Sequence, residues 1–383
     1  MRRIEAEILF RPHYLGELKS APRGKTNQQI YNDAKAKAEK LETLTGELMA
    51  KIQLLSVEIK ELEPEKENET PKRKGSKSPK EKYLELLQKQ AGLIEKKEGV
   101  LFELEEAKKA LEVAEQKKDK ITLSETAKKR LRTIAIEIKY KRRKRLLNKY
   151  VRKGLLKEDE GAEIYGEFLG ESLVIEKERK KSDYFTGETD LRKYNKAGEV
   201  IEIIDIKNRY DLDTLEDRRG EEMDSDNAAQ LLGYLDLYPT AKRLKIANVL
   251  CDNDFTLIND EIRAEVYRTK PEELTATGEL KAVRIIEIAR ENIYSRERFL
   301  EFLSLHIEAA ELFLLKRGES DNVEAQNAFN DFIELEIEER VIEQVEQVTP
   351  EHFEELERTK KILDACREYL ADVYNIHHVK LGK

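Results

Sequence analysis

The chain has 383 residues, of which 39% are charged and 7% aromatic, and its formal net charge is −8. This length suits one large domain or two smaller ones, and the composition predicts that much of the chain is solvated helix. Two cysteines, Cys251 and Cys366, exclude a disulfide framework and a four-cysteine zinc or iron–sulfur site within one chain. No apolar run approaches about 18 residues and the start lacks a signal peptide's apolar segment, so we expect a cytoplasmic protein without a membrane partner.

The first third of the chain predicts a short strand followed by two long helices. A strand-like run extends from Ile4 to Phe10, and a turn-rich stretch that contains Arg11 follows it. Apolar residues then recur at coiled-coil spacing in two segments, separated by a polar loop that contains three prolines. The first segment's predicted seam is Leu41, Leu44, Leu48, Ile52, Leu55, Ile59 and Leu62, and the second's is Leu84, Leu87, Ala91, Ile94, Leu101, Leu104 and Leu111. We therefore predict an antiparallel coiled-coil hairpin.

A strongly basic helix is predicted next, with Ser124 as its N-cap. From Lys128 to Lys153 the sequence has thirteen basic residues and one acidic residue, Glu137. Such a patch can attract nucleic acid although the whole chain is acidic, and the alternative is a solvated face balanced by acidic neighbours. Helical spacing places Lys141, Arg142 and Arg145 on one face, where we expect them to contact DNA phosphates.

The central part of the sequence changes to strand patterns. Two strands, Asp183–Leu191 and Glu199–Lys207, are predicted around a turn near Asn195–Gly198. A helix containing Gln230 and Tyr234 follows, and residues 243–253 and 263–270 are predicted to be further strands. From Pro271 onward the spacing predicts helices again. This order indicates an α/β core with large helical additions.

Four polar features coincide in and around this central block, and two of them lie on its predicted strands. Asp205 and Lys207 end a buried strand two residues apart, so they share one face. Asp190 lies on the preceding strand and can be a cross-strand neighbour of Asp205. Carboxylates that converge from two segments, beside a cation, are what metal-assisted phosphodiester cleavage requires. A lone aspartate–x–lysine pair is common at strand ends, so the combination carries the hypothesis.

Two further elements extend the pattern. Gln230 and Tyr234 lie one helical turn apart on the same face. Upstream, a helix begins at an acidic stretch, and the acid that belongs to the site is left open between Glu158, Glu160 and Glu163.

The order of these residues resembles the PD-(D/E)xK nuclease superfamily, with "DIK" as the (D/E)-x-K motif, "GETD" as the preceding aspartate and "QLLGY" as the Q-x-x-x-Y element. "FRPHYLGEL", "LSETAKKRL" and "RKGLLKEDEGAEIY" narrow the resemblance to phage recombination exonucleases of the YqaJ/lambda-exonuclease type. It covers residues 4–25 and 122–270. Asp205 departs from the commoner glutamate, and His13-Tyr14 replaces small hydroxyl residues, so metal affinity and DNA-end handling can differ from the family.

The resemblance implies a fold and a division of the chain. The fold is an α/β (α+β) nuclease core with a mixed central sheet flanked by helices. The expected parts are an N-terminal piece of the core at 1–26, the hairpin as an insertion at 27–121, the remaining core at 122–270 and a helical region at 271–383.

The resemblance also implies a mechanism. Asp190, Asp205 and the Ile206 carbonyl would hold Mg²⁺, or Mn²⁺ in its place, and Glu158 would support that ion or a second one. Lys207 would orient the attacking water, and Gln230 and Tyr234 would steady the strand or the position of Lys207. No organic cofactor is expected. The substrate would be a duplex DNA end digested from its 5′ side. The product would be a single-stranded tail for an annealing protein. Members of the family also form ring-like homo-oligomers.

Two alternatives remain at this point. One is another nuclease of the superfamily, such as an endonuclease. The other is a coiled-coil DNA-binding or tethering protein whose nuclease-like core is inactive. Motifs for a P-loop, a serine hydrolase elbow and a zinc protease helix are absent from the sequence.

Overall fold

The computed structural model describes residues 3–70, 76–143, 148–173, 175 and 177–380. Contacts divide the chain into two compact units, one formed by Ala21–Glu125 and the other by Met1–Ser20 together with Thr126–Lys383. They do not separate 122–270 from 271–383. No helix in the described part of the chain is both long and apolar enough to cross a membrane.

The described helices are α1 (Leu15–Lys19), α2 (Asn27–Leu62), α3 (Pro79–Glu115), α4 (Glu125–Tyr140), α5 (Lys149–Leu156), α6 (Glu158–Leu169), α7 (Leu212–Glu216), α8 (Ser225–Leu237), α9 (Phe255–Arg268), α10 (Ala282–Asn292), α11 (Arg296–His306), α12 (Ala309–Arg317), α13 (Val323–Asn330) and α14 (Pro350–Tyr374). The strands are β1 (Ile4–Ala6), β2 (Lys180–Lys181), β3 (Thr186–Gly187), β4 (Leu191–Tyr194), β5 (Val200–Asn208), β6 (Arg243–Val249), β7 (Val341–Gln347) and β8 (Ile376–His378).

Helices α2 and α3 form the smaller unit by packing against each other along most of their length. Each begins with a capping box, formed by Thr26 and Gln29 in α2 and by Ser78 and Glu81 in α3. The shared core is Ala38, Leu41, Leu48, Val100, Leu104 and Ala107. The pairs Lys108–Glu42, at 2.7 Å, and Gln90–Ser56, at 2.6 Å, run in opposite sequence directions, so the helices are antiparallel.

The buried stripe of α3 differs from the predicted seam. Leu104 and Leu111 lie in the interface as predicted, but Leu84 and Leu101 are 56% and 38% exposed, and Leu87, Ala91 and Ile94 are exposed as well. Helix α3 carries two apolar stripes, and the buried one includes the polar positions Gln90 and Lys97 in half-buried places. The apolar pattern therefore predicted a seam on the exposed stripe, which lies beside the buried one.

A four-stranded mixed sheet lies at the centre of the larger unit, in the order β4-β5-β6-β7. Strands β5 and β6 are parallel, whereas β4 and β7 are antiparallel to their neighbours. Helix α6 packs on one face through Ile164 and Tyr165, which contact Ile204, Ala247 and Val249. Helix α8 packs on β5 and β6 from the other face. The molecule thus has the mixed sheet with flanking helices that was predicted.

Several predicted strand boundaries are wrong. The first predicted strand ends at Ala6, and β1 pairs in parallel with β8, in the register Ile4↔Ile376. The predicted strand Asp183–Leu191 is divided between β3 and β4, because β3 pairs with β2 in a separate two-stranded sheet and β4 belongs to the central sheet. Asp190 directly precedes β4. Strand β5 matches its prediction to within one residue.

The region after β6 contains the larger differences. Residues 263–270, predicted to be a strand, belong mainly to α9, because Ile258, Ile262 and Val266 follow helical spacing toward a helical core cluster. Residues after Pro271 are not all helical, because β7 forms the fourth strand of the central sheet.

Candidate active site

Strand β5 and helix α8 bring the predicted catalytic side chains together. Asp205 and Lys207 alternate onto the face of β5 that α8 covers, as strand geometry requires. Helix α8 begins after Asp224, whose side chain accepts a hydrogen bond from the Asn227 N–H. Gln230 then points at β5, and Tyr234 lies one turn later.

These side chains form one hydrogen-bonded network. The Lys207 ammonium lies 2.6 Å from Asp205 Oδ2 and donates to Gln230 Oε1 at 2.9 Å. The Gln230 amide donates to Asp205 Oδ1 at 2.7 Å and to the Tyr234 hydroxyl at 3.2 Å. Gln230 therefore contacts both members of the aspartate–x–lysine pair. Burial, followed by the negative charge of Asp205, raises the pKa of Tyr234, so its hydroxyl stays neutral.

The network has one buried end and one open end. Asp205 is buried, whereas the Lys207 side chain is 30% exposed. An ammonium group has three donors, and Gln230 accepts one of them. Asp205 Oδ2 lies within ion-pair distance of the ammonium, but this buried oxygen has no hydrogen-bond partner. The other donors of Lys207 remain for a water molecule or a phosphate oxygen.

Asp190 lies against the same segment of β5. Its carboxylate accepts a hydrogen bond of 2.7 Å from the Ile206 N–H, the peptide group directly after Asp205. Burial, then the negative charge of Asp205, raises the pKa of Asp190 above its usual range, and Glu158 adds to the effect. Two neighbouring carboxylates in a poorly hydrated place are stabilised when a cation joins them.

The two aspartates fit a magnesium ion, which is commonly held by one or two carboxylates and several water molecules. A larger ligand set is not assembled: no group of three histidine, cysteine or acidic side chains in the described part of the chain could hold a metal. Glu158 lies 3.5 Å from Lys177 instead. It is nevertheless the upstream acid whose charge acts on Asp190, whereas Glu160 pairs with Lys157 and Glu163 is exposed. The roles of Glu158 and of the Ile206 carbonyl as ligands stay predictions.

The predicted DNA-binding residues are distributed differently from the expectation. Arg11 lies 3.5 Å from Glu137 and 3.3 Å from the Tyr14 hydroxyl. The expectation that Lys141 and Arg142 share a helix face is wrong, because α4 ends at Tyr140 and Lys141 has a positive φ of 53°, which interrupts helical spacing. Arg142 is exposed, and Arg145 lies outside the described residues.

Two basic residues near the sheet were missed by the sequence analysis. Arg209 follows Asp205 and Lys207 with the same two-residue spacing, a signal that was present in the strand pattern. Lys153 is fully buried, and its ammonium donates to the carbonyls of Tyr210 and Cys251 at 2.9 and 2.7 Å. No local pattern marks Lys153, because its partners lie far away in sequence.

No protein-family profile and no curated protein matches the chain. Among solved structures, it is similar to a phage-related exonuclease from Haemophilus somnus 129PT, with 17% sequence identity and a TM-score of 0.40, over 66% of this chain and 84% of that one. It is also similar to an alkaline exonuclease from Laribacter hongkongensis, with 15% identity and a TM-score of 0.28, over 51% of this chain and 87% of that one.

Proposed function

We propose that this chain is a metal-dependent deoxyribonuclease that hydrolyses phosphodiester bonds at the ends of duplex DNA. The observation that carries the proposal is the network in which Gln230 holds Asp205 and Lys207 together, with Asp190 bound to the peptide group after Asp205. This arrangement places two carboxylates and an incompletely used ammonium at one strand end.

Each residue has a distinct role in the proposed reaction. Asp190 and Asp205 would hold Mg²⁺ or Mn²⁺, which when bound supplies Lewis-acid polarisation of the phosphate and a more acidic water. Lys207 would present a free donor to the attacking water or to the scissile phosphate, where negative charge develops. Gln230 fixes the position of that ammonium, and Tyr234 supports the Gln230 amide.

The finer features rest on the sequence resemblance. We propose digestion from the 5′ side and delivery of a single-stranded tail to an annealing protein during phage recombination or repair. Homo-oligomer assembly is part of the same proposal.

The decisive experiment incubates the purified chain with end-labelled linear duplex and with covalently closed circular duplex, each with Mg²⁺ or with EDTA. We expect nucleotides from the linear DNA only, in Mg²⁺ only, and from the end labelled at its 5′ terminus first. Asp205→Asn is the control and should release none. Cutting of the circle would favour an endonuclease, and binding without cutting of either substrate would favour the inactive tethering protein.

A further inference from the structure

Arg209 continues the row of polar residues that begins with Asp205 and Lys207. Strand β5 ends at Asn208, but the Arg209 N–H still donates to the Val249 carbonyl at 2.8 Å, so sheet pairing reaches one residue further. Residues two apart in an extended segment lie about 7 Å apart on the same face. The Arg209 side chain is therefore the next group along this face after Lys207.

A neutral amide holds the Arg209 guanidinium. Its Nε donates to Asn248 Oδ1 at 2.9 Å, and its Nη2 donates to the same oxygen. Asn248 is completely buried on β6, opposite Lys207 in the register, and its Nδ2 donates to the Ile342 carbonyl at 3.0 Å. The amide is thus fixed with its oxygen toward Arg209, and two guanidinium donors are used while the rest remain.

The positive charge of Arg209 has no carboxylate partner within ion-pair distance in the described part of the chain. Burial, then the positive charge of Arg218, lowers the pKa of Arg209, while the negative charge of Asp224 acts in the opposite direction. Arg218 lies 3.5 Å from Asp224, but its buried Nε has no hydrogen-bond partner. Asp224 is already occupied as the N-cap of α8.

The segment that carries Arg218 is attached to the sheet. Gln344 on β7 donates from Nε2 to the carbonyls of Glu221 and Glu222, at 3.0 Å each. Two guanidinium groups thereby share one carboxylate neighbour, Asp224, which lies 3.5 Å from Arg218, so one positive charge stays unbalanced. Such a pair is stabilised by an oxyanion, and the planar guanidinium is suited to two-point contact with phosphate.

We propose that Arg209 and Arg218 bind a phosphate group of the DNA strand, next to the phosphate held at Asp205 and Lys207. Asn248 is a positioning residue that aims the Arg209 guanidinium. The inference rests on the proposed function for the identity of the ligand, and its test measures binding rather than cutting.

The test follows the affinity for a fluorescent linear duplex by anisotropy in EDTA, over a series of salt concentrations. Each phosphate contact contributes about 0.9 to the slope of log affinity against log salt. We expect Arg209→Ala to lower the slope by about one and the affinity about tenfold at low salt. The matched control is Arg219→Ala, an exposed arginine in the same segment that pairs with Glu216 at 2.7 Å, and it should behave as the parent chain.

Two further variants separate charge from packing. Arg209→Lys keeps the charge without the planar fork, so the slope should stay while affinity falls. Asn248→Asp places a carboxylate against Arg209 and should lower the slope as Arg209→Ala does. A duplex series with one neutral methylphosphonate per molecule should contain one position that weakens the parent chain and leaves Arg209→Ala unaffected.

The inference is overturned if Arg209→Ala keeps the parent slope, if no methylphosphonate position distinguishes the two proteins, or if the chain does not bind duplex DNA. If the chain binds DNA with the expected slopes but never cuts it, the phosphate site stands and the proposed nuclease function fails. If it cuts linear DNA while Arg209→Ala binds like the parent, only the phosphate site fails.

Discussion

Gln230 is the side chain that contacts each of the other members of the candidate network. Its carbonyl oxygen accepts from Lys207, and its amide nitrogen donates to both Asp205 and Tyr234. A single amide can serve both charges because it has a donor end and an acceptor end. A leucine at this position would remove both functions, whereas a phenylalanine at position 234 would remove one weak contact.

We therefore predict that Gln230→Leu lowers the rate of DNA hydrolysis about a hundredfold at saturating DNA, and Tyr234→Phe less than tenfold. DNA affinity should be unchanged in both variants, because the hydrogen bonds of both side chains go to protein groups. Single-turnover cleavage together with anisotropy binding in EDTA checks this. Equal rate losses in the two variants would contradict the central role of Gln230.

Lys153 gives a second residue-scale prediction, on pH. Burial lowers the pKa of Lys153 to about 8, whereas an unfolded lysine titrates near 10.4. Between these values the unfolded chain binds more protons than the folded one, so the free energy of unfolding rises with pH across that window. The contribution of Lys153 to the free energy of unfolding changes by about 3 kcal/mol from below the folded pKa to above the unfolded pKa.

Lys153→Met should abolish this pH-dependent contribution to the free energy of unfolding. The stability difference between parent and variant should change by about 3 kcal/mol between pH 7.5 and pH 10.5, in the parent's favour at the higher pH. Urea unfolding at the two pH values measures it. Lys149→Met, at a half-exposed lysine on the same helix, is the control. A pH-independent difference for Lys153→Met would show that its ammonium does not titrate as inferred.

Among the elements, α3 offers a direct comparison between its two apolar stripes. Leu104 is 8% exposed in the interface with α2, whereas Leu101, one turn earlier, is 38% exposed. Leu104→Ala should lower the free energy of unfolding of the hairpin by about 3 kcal/mol, because it leaves a cavity. Leu101→Ala should lower it by less than about 1 kcal/mol.

Amide hydrogen exchange in α2 and α3 reads out this comparison, because it reports local opening of the hairpin. Accelerated exchange after Leu104→Ala, with parent-like exchange after Leu101→Ala, is expected. The reverse result would show that the interface with α2 lies on the predicted stripe, which contains Leu101.

The same elements explain how much of the site could be predicted. Strand alternation places Asp205 and Lys207 on one face, and helical spacing places Gln230 and Tyr234 on one face, because both are local rules. That the two pairs belong to one site was implied by the family resemblance. Strand β7 was missed because its pairing partner, β6, lies about a hundred residues earlier, and helical segments flank it on both sides. The seam of α3 failed for a different reason, since two stripes satisfied one periodicity.

On the scale of the whole molecule, the hairpin forms its own contact unit, which implies that the larger unit can fold without it. Glu17 and Arg130, close to the two junctions, are hydrogen-bonded, so Ser20 and Thr126 can be joined by a short Gly/Ser linker. We predict that replacing Ala21–Glu125 in this way keeps basal Mg²⁺-dependent cleavage and changes DNA affinity, processivity or oligomeric state.

Nuclease assays, together with sedimentation velocity, test the excision. The comparison variant keeps the hairpin but carries Leu104→Ala, so that a loosened hairpin can be distinguished from an absent one. A well-folded excision variant that no longer cleaves DNA would show that the hairpin takes part in the chemistry.

The pairing of β1 with β8 has a consequence for synthesis on the ribosome. Ile4 and Ile376 are partners, so the first strand leaves the ribosome about 20 to 70 s before its partner is made, at typical elongation rates. The hairpin, whose contacts are closer in sequence, can fold during that interval. An unpaired strand invites association with other chains, and β1 limits this hazard by being three residues long with a charged centre, Glu5. Completion of the larger unit therefore waits for the synthesis of β8.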